Sequence, residues 1–208
     1  MSSRPDPLRP PDPVEVAGLL LTGGSSRRFG SPKADLRVAG ERLADRTARL
    51  LGEVAAPALE VGPGRSTLEA VGEPDPGHGP LAAVAAGWAE LGARGVGERP
   101  VLVLALDLPG LDLAFLRALA DASPAAALVP RVGGRAQPLC ARYAPSALDV
   151  AVEIRTAGES SMQALLRALG PGVRWLDDAD WSAFTTARCF ADVDTPADAQ
   201  RLGLEVPG

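Results

Sequence analysis

The chain has few of the residues that build covalent or metal-stapled folds. Two cysteines in 208 residues, Cys140 and Cys189, are too few for a disulfide framework or a zinc cluster, and both read as buried thiols. The one histidine, His78, stands between glycines. That is the setting of an exposed turn, although a lone histidine can also act as a general base. Basic charge is not in surplus. The net charge is −5, so the surface offers no general positive field for nucleic acid. No apolar run reaches the length that spans a bilayer, and no N-terminal segment resembles a signal peptide. These absences predict a cytoplasmic protein with no membrane partner. Internal repeats and a second-domain linker are also lacking.

What is present suits one domain with a sizeable core. Hydrophobic residues make up 46% of the chain and charged residues 23%. Residues 1–13, rich in Pro, Ser, Arg and Asp, predict a disordered tail, with the domain over 14–208. Apolar runs predict strands at 14–22, 58–61, 68–71, 100–106, 125–129, 137–143 and 173–176. Helical spacing predicts helices at 41–54, 81–91, 113–120, 145–156, 161–169 and 196–202. The run from Pro100 to Leu106 is almost wholly apolar, as in a central strand buried on both faces. Strands alternating with helices predict a single-domain three-layer α/β/α sandwich, with a Rossmann-like, mostly parallel sheet.

The most informative stretch follows the first strand. Leu19-Leu20-Leu21-Thr22 runs into Gly23-Gly24, two serines, Arg27, Arg28, Phe29, Gly30 and, behind Pro32, Lys33. Ligands of open α/β sheets sit at the carboxyl ends of strands. Glycines there let backbone N–H groups approach a phosphate, and the cations match its charge. The lysine comes too late for a Walker loop, and the dinucleotide G-x-G-x-x-G spacing is missing. The composite is a phosphate-handling loop with its own cations, suited to a small anionic ligand.

A second signal closes the central strand: Leu106-Asp107-Leu108-Pro109. A carboxylate just past such a strand lies in the ligand crevice and could hold magnesium, which takes one or two carboxylates plus substrate phosphates. An Asp before a turn proline can equally be a cap. Third, Glu73 and Asp75 precede Gly79-Pro80-Leu81-Ala82, where Pro80 suits the first turn of a helix. Fourth, Asp192-Val193-Asp194-Thr195-Pro196 reads as a helix start, with Thr195 as cap. Fifth, the basic loop Arg131-Val132-Gly133-Gly134-Arg135 precedes Gln137-Pro138-Leu139-Cys140-Ala141-Arg142-Tyr143. Either Arg131 or Arg135 could meet a phosphate, or the loop could be a solvated hairpin.

The order G-G-x-S-x-R-x-G-x-x-K over Gly23 to Lys33 resembles the signature of nucleotidyltransferases. It looks most like the molybdenum cofactor guanylyltransferases, the MobA-like family. The other signals resemble the family's Gly-Pro-Leu-Ala turn, Asp-x-Pro magnesium motif, Pro-Leu-x-x-x-Tyr strand and Asn-x-Asn-Thr-Pro-x-Asp segment. The Leu-Thr-Gly-Gly order, where cytidylyl-transferring relatives tend to Leu-Ala-Ala-Gly, points to the guanylyl branch. So does the lack of a hexapeptide-repeat β-helix. Phe29 stands where the family usually has Met, Pro32 where it often has an acid, and Asp192 and Asp194 where it often has amides.

The resemblance implies transfer of GMP from GTP to the molybdenum–molybdopterin cofactor, with release of pyrophosphate. It implies Mg²⁺ on Asp107, nucleotide contacts from Leu21, Thr22, Gly23, Gly24, Lys33, Glu73 or Asp75, Gly79 and Asp107, and catalysis by Arg28, Lys33 and Asp107. It places Asp192, Asp194 and Arg135 on the acceptor side. GTP and molybdopterin are the implied partners, with molybdoenzymes or cofactor-carrier proteins beyond them. Cytidylyl or other nucleotidyl transfer to a different phosphorylated acceptor is the alternative within enzymes. A non-catalytic GTP-binding protein that delivers cofactor is the alternative outside them.

Overall fold

The computed structural model describes residues 15–23, 32–73 and 77–206. The tail expected at residues 1–13 lies outside these, as do the site candidates Gly24, Arg28 and Asp75.

The first strand, β1 (Ala17–Leu21), is apolar because both of its faces are covered. Leu19 and Leu21 point into one core and Leu20 into the other. The hairpin β2 (Arg37–Val38) and β3 (Glu41–Arg42) follows, then α1 (Leu43–Gly52), β4 (Ala58–Val61) and β5 (Glu69–Val71). Next come α2 (Pro80–Ala93), β6 (Val101–Ala105), α3 (Leu113–Asp121), β7 (Ala127–Val132), β8 (Arg135–Ala136) and β9 (Cys140–Tyr143). The chain closes with α4 (Pro145–Thr156), α5 (Met162–Leu169), β10 (Val173–Leu176), α6 (Asp178–Trp181) and α7 (Pro196–Leu202).

The main sheet runs β10, β7, β9, β6, β1, β4, β5, with β8 attached to β7. β1 pairs in parallel with β4 and with β6, β4 with β5, and β7 with β10. Only β9, on this path, runs antiparallel to both of its neighbours. The expected mostly parallel sandwich is therefore what forms. The reversal follows from the Gly133-Gly134 turn, which sends β7 back on itself as β8 before the chain crosses to β9. β6 repeats the logic of β1: Val101 and Val103 enter the core beneath α2, α4 and α5, while Leu102 and Leu104 enter the core beneath α1 and α3. Period-two alternation between two apolar cores is why the run looked continuous.

Most boundaries agree with the sequence expectations, and the differences have local causes. Residues 41–42 were expected to open a helix but form a strand. Ala39 and Gly40 both have positive φ (50° and 82°), the backbone of a tight hairpin turn, and the helix starts only at Leu43. Three caps follow their residue types. Asp112 accepts from Phe115 N–H, Ser161 accepts from Ala164 N–H, and Thr195 forms a capping box with Asp198. Among the described residues, no helix is long and apolar enough to cross a membrane.

A third, smaller core lies beside the candidate site residues. Ala34, Leu36, Leu43, Ala44, Leu106, Val193, Ala199 and Leu202 pack together beside the carboxyl end of the sheet. Three of them are chain neighbours of polar candidates: Ala34 of Lys33, Leu106 of Asp107, and Val193 of both Asp192 and Asp194. Burying one such Leu or Val contributes about 1.5–3 kcal/mol. This core thus brings segments more than 150 residues apart in sequence into one place.

Candidate active site

A cleft opens over the carboxyl ends of β1, β4 and β6, in two connected compartments. Among the described residues, the first, about 370 Å³, is lined on one side by Gly62, Pro63, Arg65 and Gly72. The second, about 430 Å³, reaches Gly79, Pro80, Asp107 and Leu139. Thr22, Gly23, Lys33, Glu73, Gly77 and Leu106 line both. Of the expected nucleotide residues that the structure describes, Leu21, Thr22, Gly23, Lys33, Glu73, Gly79 and Asp107 all face this cleft.

Each is placed by a local cause. Thr22 extends β1 by donating its N–H to the carbonyl of Val61 at 3.1 Å. Gly23 lies flat against Glu73: a Cβ there would overlap the Glu73 carboxylate. Gly79, with φ at +85°, caps α2 where a side chain would run into the carbonyl of Ser160. Ser160 accepts the N–H of Leu81 at 3.2 Å, so the loop between α4 and α5 anchors the first turn of α2.

Lys33 starts a single 3-10 turn, Lys33–Asp35, whose middle residue Ala34 is buried. Its Nζ lies 2.6 Å from Asp194 Oδ1. Asp107 accepts the N–H of Val193 on its own carbonyl at 3.0 Å, which docks the segment 192–194 beside it. Burial pushes the Asp107 carboxyl up from its ordinary range; the charge of Lys33 pulls it down, and those of Asp194 and Asp192 push it up again. Among the described residues, one lysine and two further acids act on the Asp107 carboxyl, and a cation beside it would relieve the repulsion.

None of the acceptor-side candidates lines either compartment, but the segment 192–194 touches the cleft residues Lys33 and Asp107. Asp192 and Asp194 flank the buried Val193, and Arg135 stands 3.7 Å from Asp192. Arg131, the other arginine of that loop, is engaged elsewhere. It makes two bonds to Asp177, at 2.8 and 2.7 Å, and its guanidinium lies over the Trp175 ring. His78 is exposed. Cys140 and Cys189 are buried, and burial raises both thiols, Cys189 to about 11, so neither is a thiolate at neutral pH.

Sequence reasoning missed Glu60 and Arg65. Glu60 sits wholly buried in β4 between Leu59 and Val61. An acid inside an apolar strand just before Gly62-Pro63-Gly64 was a visible signal, because buried acids are rare without partners.

A lysine and a half-buried carboxylate facing one glycine-lined cleft, at the carboxyl ends of parallel strands, define an open-sheet enzyme that handles phosphorylated ligands. Residues 18–184 match the model of the MobA-like NTP transferase domain, and the chain belongs to that family. A probable molybdenum cofactor guanylyltransferase of Opitutus terrae is 38% identical over 161 residues, covering 74% of this chain and 79% of its own. Another, of Chloroflexus aggregans, is 33% identical over 198 residues, covering 88% and 91%. Among solved structures, the molybdopterin-guanine dinucleotide biosynthesis protein A of Archaeoglobus fulgidus matches with a TM-score of 0.71 at 22% identity, covering 90% of this chain and 96% of that one. A 4-diphosphocytidyl-2C-methyl-D-erythritol synthase matches with a TM-score of 0.63 at 15% identity, covering 91% and 97%. These two structural likenesses establish the fold; they do not distinguish one base from another.

Proposed function

We propose that the chain transfers GMP from GTP to the phosphate of the molybdenum–molybdopterin cofactor, forming the guanine dinucleotide cofactor and pyrophosphate. An acceptor phosphate oxygen forms the new bond to the α-phosphorus, the α–β bridging P–O bond breaks, and the electron pair leaves with pyrophosphate. The observation that carries this reading is the meeting of Lys33 and Asp107 in one cleft with Thr22, Gly23 and Glu73. The names of the relatives at 38% and 33% identity favour the guanylyl branch.

The residues divide the work. The backbone at Thr22 and Gly23 faces the triphosphate, and Glu73 faces the base or ribose side. Lys33 turns from Asp194 toward the phosphates and offsets the charge that develops on the departing pyrophosphate. Arg28 belongs to the same loop signature and is assigned the same task. The attacking group is already an anion, so no general base is needed and positioning suffices.

The donor set fits magnesium. Among the described residues no group of three or more acids, cysteines or histidines is arranged to hold a metal. Asp107 offers one carboxylate that burial and the neighbouring Asp194 and Asp192 raise, and magnesium is commonly held by one or two carboxylates together with substrate phosphates. When bound there, the ion supplies charge neutralisation for the triphosphate. Arg135, Asp192 and Asp194 then border the acceptor side of the cleft.

A thermal-shift panel of GTP, CTP, ATP and UTP with magnesium tests the reading, since a ligand that binds only the native state raises its melting temperature. GTP should outcompete CTP by about tenfold or more, because unpaired polar groups on the wrong base cost at least ~1.4 kcal/mol. Equal or better stabilisation by CTP would move the chain to the cytidylyl branch. Stabilisation by GTP without pyrophosphate release, once acceptor is supplied, would make it a cofactor-delivery protein.

A further inference from the structure

β4 carries a buried acid that the transfer chemistry does not use. Glu60 has no exposed surface, yet its carboxylate has four donors. Oε1 accepts from the Thr22 hydroxyl and from the N–H of Arg65 at 2.6 Å. Oε2 accepts from the N–H and the hydroxyl of Ser66, each at 2.7 Å. Burial pushes this carboxyl up, but the bonds from Thr22, Arg65 and Ser66 outweigh it, and the net shift is downward.

The turn that Glu60 grips is also held from outside. Arg42 donates to the carbonyl of Arg65 at 3.2 Å, to Asp35 at 2.8 Å and to Asp45 at 2.9 Å. Asp35 closes the 3-10 turn that begins with Lys33. A continuous chain of hydrogen bonds therefore runs from Thr22 through Glu60, the 65–66 turn and Arg42 to the lysine turn. It runs along one side of the compartment lined by Thr22, Lys33, Gly62, Pro63 and Arg65. There is no slack across it: a Cβ on Gly62 would overlap the Thr22 hydroxyl.

We propose that Glu60 is a positioning residue that sets the width of the nucleotide-side compartment, by holding the end of β1 and the 65–66 turn at a fixed separation. The inference rests on the nucleotidyltransferase reading of the cleft. Only a carboxylate meets the requirement. Each of its oxygens faces a backbone N–H, which cannot reverse, and a glutamine would turn its NH₂ toward one of the two. A buried donor would be left unpaired and the turn would move. Because the compartment grips ground state and transition state alike, the loss should appear as binding and spare the chemical step.

The test compares the wild type with Glu60→Gln, Ser66→Ala and Arg142→Met. Arg142 is a control of similar burial outside the cleft, donating to the carbonyls of Ala120, Ala122 and Ser123 at 2.5, 2.7 and 3.0 Å. Steady-state kinetics of pyrophosphate release and the four-nucleotide thermal-shift panel are run on each. Glu60→Gln should raise KM for the preferred nucleotide about tenfold and change kcat by less than about threefold. Ser66→Ala should shift KM the same way by about two- to threefold, and it decides the question if Glu60→Gln does not fold. Arg142→Met should lower Tm and leave KM alone. A Glu60→Gln protein that loses Tm while keeping the wild-type KM would overturn the proposal, as would an unshifted Ser66→Ala if that variant has to decide. A wild type that prefers another nucleotide overturns the guanylyl reading, while the variants still decide for or against Glu60 on that nucleotide. A wild type that binds no nucleotide overturns both.

Discussion

β1 is flanked by two strands that each carry an acid close to the cleft, and the two acids are treated in opposite ways. Glu60, in β4, is wholly buried and fully paired, and its carboxyl lies below the ordinary range. Asp107, just past β6, is less buried but under-compensated. Desolvation raises its carboxyl, the charge of Lys33 and a bond from its own backbone N–H oppose, and Asp194 and Asp192 add to the rise. Depth of burial thus does not separate the two acids. The balance of partners does: the carboxylate with four donors is held below its ordinary range, and the one beside two further acids is raised above it.

The contrast can be broken most severely at Asp107. Asp107→Asn keeps the shape and removes the charge. Magnesium-dependent pyrophosphate release should fall by about 10²-fold or more, the scale for losing a preorganised electrostatic group. A magnesium titration of both proteins checks this, and equal dependence would remove Asp107 as metal ligand. The metal-free proteins should differ in the other direction. A carboxyl raised by the fold makes the wild type lose stability as pH climbs from about 3.9 through the raised value. The variant escapes that loss, so its Tm should exceed the wild type's at pH 7–8 and meet it near pH 3.

Lys33→Ala tests the lysine whose charge lowers the Asp107 carboxyl. Turnover should again fall by about 10²-fold. Stability should change by at most about 1 kcal/mol, because the partner Asp194 is half-exposed and such pairs contribute little. Near-normal turnover would remove Lys33 from the group that stabilises the departing pyrophosphate.

Glu60→Gln should show the mirror image of Asp107→Asn in its pH profile. A lowered carboxyl contributes stability above its ordinary range, near pH 4.3, and loses it as pH falls through the folded value. The variant should be less stable than the wild type at neutral pH by about 1–3 kcal/mol, with the gap closing in acid. A gap that widens in acid would mean that the carboxyl is not held ionised.

The smallest expected effect lies in the helix that follows Asp194. Thr195→Ala removes the cap of α7, whose hydroxyl accepts from Asp198 N–H at 3.2 Å. It should cost about 1 kcal/mol in urea unfolding. KM for nucleotide should stay unchanged, since the nucleotide compartment does not include α7. A raised KM would mean that α7 helps to hold Lys33 through Asp194.

Local chemistry was enough to determine much of this protein. Continuous apolar runs named β1 and β6, Thr195-Pro196 named the start of α7, and Gly79-Pro80 named the start of α2. Each depends on residues within one turn or strand. The glycines after β1 and the acid after β6 were legible for the same reason: the carboxyl end of a buried strand is a place that a sequence can mark. The hairpin at 37–42 was missed because a positive-φ turn at Ala39-Gly40 overrode the helical spacing that begins just before Leu43.

Only the tertiary structure could decide partnership. Nothing near Glu60 in the chain announces that Thr22, 38 residues away, will donate to it. Nothing near Lys33 announces Asp194, 161 residues on. Those meetings are made by packing, through the small core that joins Ala34, Leu106 and Val193. Sequence determined which residues can carry charge at the ends of strands. Tertiary structure decided which of those charges are satisfied, because pairing depends on distance in space and a chain records only distance along itself.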